Sequence, residues 1–500
     1  MNLDFVDLPF RELLKRVTAA LPEGAPVYLV GGAVRDAMLS IPTHDLDFAM
    51  SGDALKVARQ VANALGGAYY PLDLERETGR VILLNSQGNR LSLDFAAFRG
   101  SNLENDLRDR DFTINAMGID VREPGKLIDP LGGAGDLRQK LLRPCSDLAF
   151  ENDPVRILRC IRQAVALDFH ILTSTQELIR QAIPELKYVS PERLRDELFR
   201  ILDGPKPRTA LRTMDILGVL DEFLPELTGL KGVAQSPPHT NDVWTHTLDT
   251  VQQLNAVLNV LAPLHDPDKA ANWTLGLISL RLGRYRQKLS SHMARSLNPD
   301  RSLNSLFMMS ALYHDVGKPD SMQVEEGGRR RFFGHEQVGA KIASQRADWL
   351  RLSKAEIARL QIIIRHHLRP LLLAQRGALP SRRAIYRFFQ DTGPAGVDIC
   401  LLSLADTLAT YGPALDQDIW TLQVDIVRDL LGAWWEKPAE SVSPPTLLTG
   451  SDLIEEFKMK PGPRIGELLA ALREAQATGE IQDRKQALQF ARAWLENDQG

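Results

Sequence analysis

The stretch "YLVGGAVRDAMLSIPTHDLDFAM", Tyr28 to Met50, decides the reading of this chain. An apolar run, PVYLV, is broken by Gly31 and Gly32, and glycines punctuate regular structure. AVRDAML opens as a helix, and DLDFAM reads as a strand. Side chains alternate along a strand with a period of two, so Asp45 and Asp47 share one face. Two carboxylates on one face offer hard oxygen ligands to divalent cations. A glycine turn at a helix start lets backbone N–H groups approach phosphates. Either feature alone is weak, since a DxD strand is most often a solvated face. Together, with Arg35-Asp36 between them, they point to phosphoryl or nucleotidyl transfer assisted by a metal.

Working outward, DALKVARQVANAL shows helical apolar spacing behind an Asp53 cap. VILLN and RLSLDFAAF read as two further strands, and Asp94 in the second offers a third carboxylate. FTINAMGID and KLIDP complete an α+β unit that ends near residue 145. The pattern then becomes helical: PVRILRCIRQAVAL and PERLRDELFRIL place apolar residues at i, i+3 and i+4. Pro154 suits a first helical turn with Asp153 before it as a cap. GVAQSPPHTNDVW reads as a loop at a boundary, residues 243–410 as all-helical, VSPPTLLTG as a second linker, and the end as a helical tail split by Pro461-Gly462-Pro463.

The bulk properties set limits. With 500 residues, 44% of them hydrophobic and 25% charged, the chain has the composition of a globular multidomain protein. Its three cysteines, Cys145, Cys160 and Cys400, form no CxxC pair, which argues against a disulfide framework or a cysteine zinc site and for a reducing, cytoplasmic setting. The N-terminus lacks the h-region of a signal peptide, and no apolar run is long enough to span a bilayer. A net charge of −4 does not advertise nucleic-acid binding, but arginines cluster locally between Arg156 and Arg212, and binding needs only a local basic surface.

LVGGAVRD…HDLDF resembles the signature of the class II tRNA nucleotidyltransferase and bacterial poly(A) polymerase family, within the polymerase-β-like nucleotidyltransferases. LRDRDFTINAMGID (107–120), LIDPLGGAGDLRQKLLR (127–143) and FENDPVRILRCIRQAVALDF (150–169) are similar to three further segments of that family, in order. The resemblance implies that Gly31 and Gly32 contact nucleotide phosphates with help from Arg35. It makes Asp45 and Asp47 the ligands of catalytic Mg2+, with Asp94 beside them. It implies that Arg110 and Asp111 read the ribose, that Asp153 and Arg156 face the incoming base, and that Arg159 and Arg162 reach phosphates or base. A carboxylate accepts from an exocyclic amine and a guanidinium donates to a ring acceptor, so Asp plus Arg selects C and A. Two positions depart from the family pattern: Asn152 replaces a Glu, and Asp109 replaces the first of two arginines.

Eight of the ten histidines lie between residues 239 and 367. The order His246, His314-Asp315, His335, His366-His367, Asp406 resembles the HD-domain metal phosphohydrolases, and HDVGKP is similar to their HDIGKP form. That resemblance implies an unidentified divalent metal, one or two ions, on these seven residues, with Lys318 on the phosphate.

The expected fold is α+β: a nucleotidyltransferase head (1–145), an all-α neck (146–232), a helical HD domain (233–440) and a helical tail (441–500). The resemblance implies an enzyme that adds CCA to tRNA 3′ ends from CTP and ATP, with tRNA as partner and no obligate protein partner or membrane. Poly(A) polymerase and partial (CC- or A-adding) activity are the alternatives. An HD phosphohydrolase whose head only binds RNA, or a non-catalytic tRNA-binding protein, would leave Asp45 and Asp47 without a role.

Overall fold

A computed structural model describes residues 10–497, apart from 75–76, 85–89, 267, 269–271, 299–300 and 376. The chain forms two compact units, residues 1–197 with 213–223, and residues 198–212 with 224–500. No helix among the described residues is long and apolar enough to cross a membrane.

The first unit is built on a seven-stranded sheet: β1 (Val27–Val30), β2 (Asp45–Met50), β3 (Ala68–Asp73), β4 (Thr78–Leu84), β5 (Arg90–Ala97), β6 (Gly118–Asp120) and β7 (Leu127–Ile128). Their spatial order is β3-β4-β5-β2-β1-β6-β7. β2 lies antiparallel to β1 and parallel to β5, which sets Asp47 opposite Val30 on one side and Asp94 on the other. The alternation in β2 works as expected: Leu46 and Phe48 are buried, and Phe48 stacks on Phe95 of β5 at 4.7 Å. The opposite face carries the aspartates. The helix Ala54–Leu65 starts where Asp53 accepts from Lys56 N–H.

Two local details differ from the sequence reading. The helix expected to begin at Pro154 begins at Arg156. Asp153 does not cap it; both of its oxygens accept from Arg193 instead. AYYPLD, unassigned from the sequence, forms β3 at the sheet edge, where a strand interrupted by proline is tolerated.

The second unit is mainly helical. The helix Val243–Val260 packs on Ala395–Tyr411 and Leu303–Tyr313, and His335–Trp349 packs on Lys354–His366. Ala395–Thr410 is buried on all sides, which explains its nearly uninterrupted apolar sequence and why its aspartates, Asp398 and Asp406, are buried too. Residues 243–410 also hold a small hairpin, Gln323–Val324 with Arg330–Arg331, that helical periodicity does not reveal. The tail helices Gly450–Phe457, Pro463–Thr478 and Arg484–Asn497 close a separate small core around Leu453, Leu468 and Leu472.

Candidate active sites of the two units

In the first unit the chain leaves β1 through Gly31 at φ 77°, a left-handed conformation that favours glycine. A Cβ there would stand 2.9 Å from Arg110 Nη1 and 3.2 Å from Asp47 Oδ2. The missing side chain therefore lets the turn, the arginine and the aspartate share one space. Gly32 opens the helix Gly32–Met38. Asp45 is exposed and Asp47 half-buried on the same face of β2. Burial pushes the Asp47 carboxyl up; Arg110 opposes this, and the negative charges of Asp94 and Asp45 add to it. Asp94 is clamped by Arg80 of β4, with Nε and Nη2 donating at 2.8 and 2.7 Å. Three carboxylates gathered in an oxygen-rich site, with the charges of Asp45 and Asp94 acting on Asp47, fit a hard divalent cation, whose charge would relieve their repulsion.

Next to these carboxylates several side chains are hydrogen-bonded to one another. Arg35 donates to Asp36 at 2.8 Å and to Asn115 at 2.7 Å. Asn115 Nδ2 donates to Asp111 at 2.9 Å and to Gln163 at 3.0 Å. Asp111 is buried, accepts from Phe112 N–H, and pairs with Arg159 at 3.0 Å. Burial alone would raise Asp111, but Arg159 and its hydrogen bonds outweigh it and hold the carboxyl down. Arg110 pairs with Asp106. Arg156 donates to the carbonyls of Asp109 and Arg110 at 3.1 and 3.4 Å, and Arg162 donates to Glu197 at 2.7 Å.

In the second unit His246, His314, Asp315, His335, His367 and Asp406 are buried together. Two groups share Asp315: His246 with His314, and His335 with His367, their ligand atoms all within 4.8 Å in each group. His246 Nε2 is 3.1 Å from Asp406 and 3.5 Å from Asp315. The rings are oriented from behind. Nδ1 of His314, His335 and His367 meets the carbonyl of Ala311, Phe332 and Ile364 at 2.8, 2.7 and 2.7 Å. A carbonyl only accepts, so each Nδ1 carries a proton, and a ring in its neutral form presents an Nε2 lone pair to the cluster; burial would lower the His314 ring, but the charges of Asp315 and Asp406 outweigh it and push it up. Those three Nε2 atoms and Asp315 Oδ2 have no hydrogen-bond partner. Their neighbours stand at 2.6–3.9 Å but out of hydrogen-bond geometry. Buried unpartnered acceptors converging on one carboxylate fit a divalent metal. Burial takes the His367 ring down to about 3 and keeps it neutral, the form a ligand needs. Lys318 Nζ reaches Asp315 Oδ2 at 2.6 Å and donates to Gln235.

The likeness to known proteins covers both units. The profile described as "Poly A polymerase head domain" matches residues 27–143, "Probable RNA and SrmB- binding site of polymerase A" 168–230, "HD domain" 287–410, and "tRNA nucleotidyltransferase domain 2 putative" 444–491. An A-adding tRNA nucleotidyltransferase of Deinococcus radiodurans is 33% identical over 96% of this chain and 97% of its own. The chain belongs to the tRNA nucleotidyltransferases. A CC-adding tRNA nucleotidyltransferase of Geobacter sulfurreducens is 32% identical over 98% of this chain and 96% of its own. The solved complex of a CCA-adding enzyme with ATP shares the fold, with a TM-score of 0.61 at 22% identity, covering 99% of this chain and 97% of that one.

In this tRNA nucleotidyltransferase Gly31, Asp47, Asp94 and Arg110 meet at β2, and Arg35, Asp111 and Arg159 are joined through Asn115, while two expected residues are engaged elsewhere. Asp153 is engaged by Arg193, and Arg156 is turned to backbone carbonyls. In the HD unit one expectation fails geometrically: His366 lies outside both histidine groups. His366 ends the helix Lys354–His366 and His367 follows it, with successive residues about 100° apart, and here it is His367 that is turned into the cluster. His366 is half-buried, its pKa lowered by burial and then by Arg369. The sequence reading placed Arg193 only among the clustered arginines, and passed over Arg80, Asn115, Gln163 and His239. Gln163 was findable, being four residues past Arg159 on the same helix face. Arg80 was not, because its role depends on strand pairing. His239 packs edge-on against His246 at 5.1 Å, and burial takes it down to about 4.

Proposed function

We propose that the first unit extends tRNA 3′ ends without a template, joining C and A from CTP and ATP with release of pyrophosphate. The observation that carries this is the pair Asp45–Asp47 on β2, beside the glycine turn that leaves room for Asp47 and Arg110 together. Asp45 and Asp47 would hold Mg2+, with Asp94 kept in register by Arg80. Bound there, Mg2+ supplies charge neutralisation on the triphosphate and a lowered pKa for the attacking 3′-hydroxyl. Backbone N–H groups at Gly31 and Gly32, with Arg35, would orient the phosphates. Arg110 and Asp111 would position the ribose. Asp153 and Arg156 would read the base edge; a carboxylate offers about four lone-pair sites, so Asp153 can accept from a base amine while Arg193 fixes its orientation. Arg159 and Arg162 line the same helix face as further contacts.

The direct test supplies purified protein with tRNA lacking its 3′ CCA and labelled CTP or ATP. The proposal requires C, then C, then A. A second reading is partial addition, favoured by full-length relatives that are A-adding and CC-adding enzymes. Incorporation of CTP alone, or of ATP only on tRNA already ending in CC, selects it. Long A tails on unrelated RNA select poly(A) synthesis.

For the second unit we propose phosphoester hydrolysis at RNA ends. His246, His314, Asp315, His335, His367 and Asp406 would hold one or two divalent ions, which supply an activated water, and Lys318 would contact the phosphate. Residues 1–145, 146–232, 233–440 and 441–500 serve as head, neck, HD domain and tail of one cytoplasmic enzyme.

A further inference from the structure

The histidine-aspartate cluster opens into a cavity of about 720 Å³ whose lining includes Asp315, His335, Asp406 and His239. One side of its mouth is the run Arg329-Arg330-Arg331-Phe332-Phe333, which ends two residues before His335. The hairpin carrying this run turns through Gly327 and Gly328 at φ 97° and 80°. Arg330 N–H donates to Ser236 Oγ at 2.8 Å, fixing the hairpin to the loop that bears His239.

Phe333 is 66% exposed although it is large and apolar. The Arg331 guanidinium lies 5.9 Å from its ring centroid. One step inward, Lys318 Nζ lies 5.5 Å from the Phe332 ring centroid and 2.6 Å from Asp315. Cations and aromatic faces thus alternate from the rim to the cluster. Acids are present too: Asp315 and Asp406 sit in the cluster, Asp418 lines the cavity, Glu325 meets Arg331 at 3.3 Å with Glu326 beside it, and Glu336 follows His335, but Arg329, Arg330 and Phe333 at the mouth are not covered by them. A folded acidic protein would match the cations and leave the aromatic face unused. A nucleic-acid strand matches both, with phosphates for the guanidiniums and bases for the ring.

We propose that residues 329–333 are a docking track for the last few nucleotides of a single-stranded RNA end, which deliver a terminal phosphoester to the cluster. This rests on the hydrolytic reading of that cluster. Phe333 stacks a base near the end, Arg329 and Arg330 pair with backbone phosphates, and Lys318 meets the terminal phosphate. In the hydrolytic step a water oxygen bonds to phosphorus, one ester P–O bond breaks, and the departing oxygen takes a proton to become a hydroxyl.

The full-length, metal-loaded protein is given an RNA pentamer ending in a 2′,3′-cyclic phosphate, and separately a mononucleoside 2′,3′-cyclic phosphate. In Phe333→Ala the KM for the pentamer rises about fivefold or more with kcat little changed, and the pentamer loses more than the mononucleotide does. Arg329→Ala/Arg330→Ala flattens the dependence of log KM on log salt by about 0.7 per lost phosphate contact. Equal losses on both substrates, or an unchanged pentamer KM, overturn the track. A second measurement does not need hydrolysis: a pentamer with 4-thiouridine next to its end is irradiated on the protein and the crosslinked peptides are sequenced. A crosslink within 329–333 supports the track, even if neither substrate is cut and the hydrolytic reading falls. Crosslinks only elsewhere reject it.

Discussion

The two candidate sites hold their carboxylates in opposite ways. In the first unit Asp45, Asp47 and Asp94 stand on strands, placed by a backbone ladder and surrounded by arginines that are themselves paired. In the second, Asp315 and Asp406 are buried among imidazoles, placed by helices, with Lys318 the cation that touches Asp315. Among the described residues of 10–197, no buried side-chain polar atom lacks a hydrogen-bond partner, whereas the histidine cluster gathers several. On the proposed reading the arginine-rich site would receive an anionic substrate together with its metal. On the proposed reading the imidazole site would keep a metal of its own, because the buried Nε2 acceptors around Asp315 lack hydrogen-bond partners and such groups are costly to bury.

The largest expected effect tests whether the two sites work independently. Asp47→Ala lowers nucleotide addition by about 10³-fold or more, the scale of losing metal stabilisation of a transition state, and leaves cyclic-phosphate hydrolysis in place. Asp315→Ala does the reverse. Loss of both activities in either variant would show one coupled centre and break the comparison.

Metal binding separates the sites next. Titrating a divalent transition metal into chelator-treated protein stabilises the unfolding transition of the second unit by about 2.7 kcal/mol at one hundred times the dissociation constant. Asp315→Ala abolishes the shift, read by scanning calorimetry. An equal shift in that variant would place the metal elsewhere.

How much of this was legible beforehand follows from the same contrast. Asp45 and Asp47 could be read because strand alternation is local, and the glycine turn because glycine has few substitutes there. The histidine set was visible as an excess of one residue type, but which of His366 and His367 faces inward depends on helix phase, which the dipeptide does not show. The Arg80–Asp94 clamp and the Asp153–Arg193 pair join positions 14 and 40 residues apart. Such pairs become visible only once strands and helices are docked. The hairpin at 323–331 escaped because two-residue strands carry no periodicity.

A smaller effect probes the glycine turn. Gly31→Ala brings a Cβ against Arg110 Nη1 and Asp47 Oδ2 at a positive φ. Left-handed strain of about 1–2 kcal/mol and displacement of Asp47 should lower kcat for nucleotide addition about tenfold, with hydrolysis unaffected. A loss confined to thermal stability would mean that the turn is scaffold only.

The smallest effect asks whether arginine pairing in the second unit behaves like that in the first. Glu356 caps the helix Lys354–His366 and takes two hydrogen bonds from Arg301 at 2.7 Å each. Burial by itself would raise its carboxyl, but the bonds from Arg301 and Ser353 outweigh burial and hold it below the ordinary 4.5. Above pH 4.5 the group is ionised in both folded and unfolded chains and its contribution is complete. As pH falls below 4.5 the unfolded chain takes up the proton first, and stability drains away until the folded carboxyl titrates as well. The difference in unfolding free energy between wild type and Glu356→Gln should therefore be flat from pH 7 to about 5 and shrink below 4.5. A difference that stayed constant down to pH 3 would mean that the pair contributes through shape rather than charge, and that the second unit does not share the electrostatic design of the first.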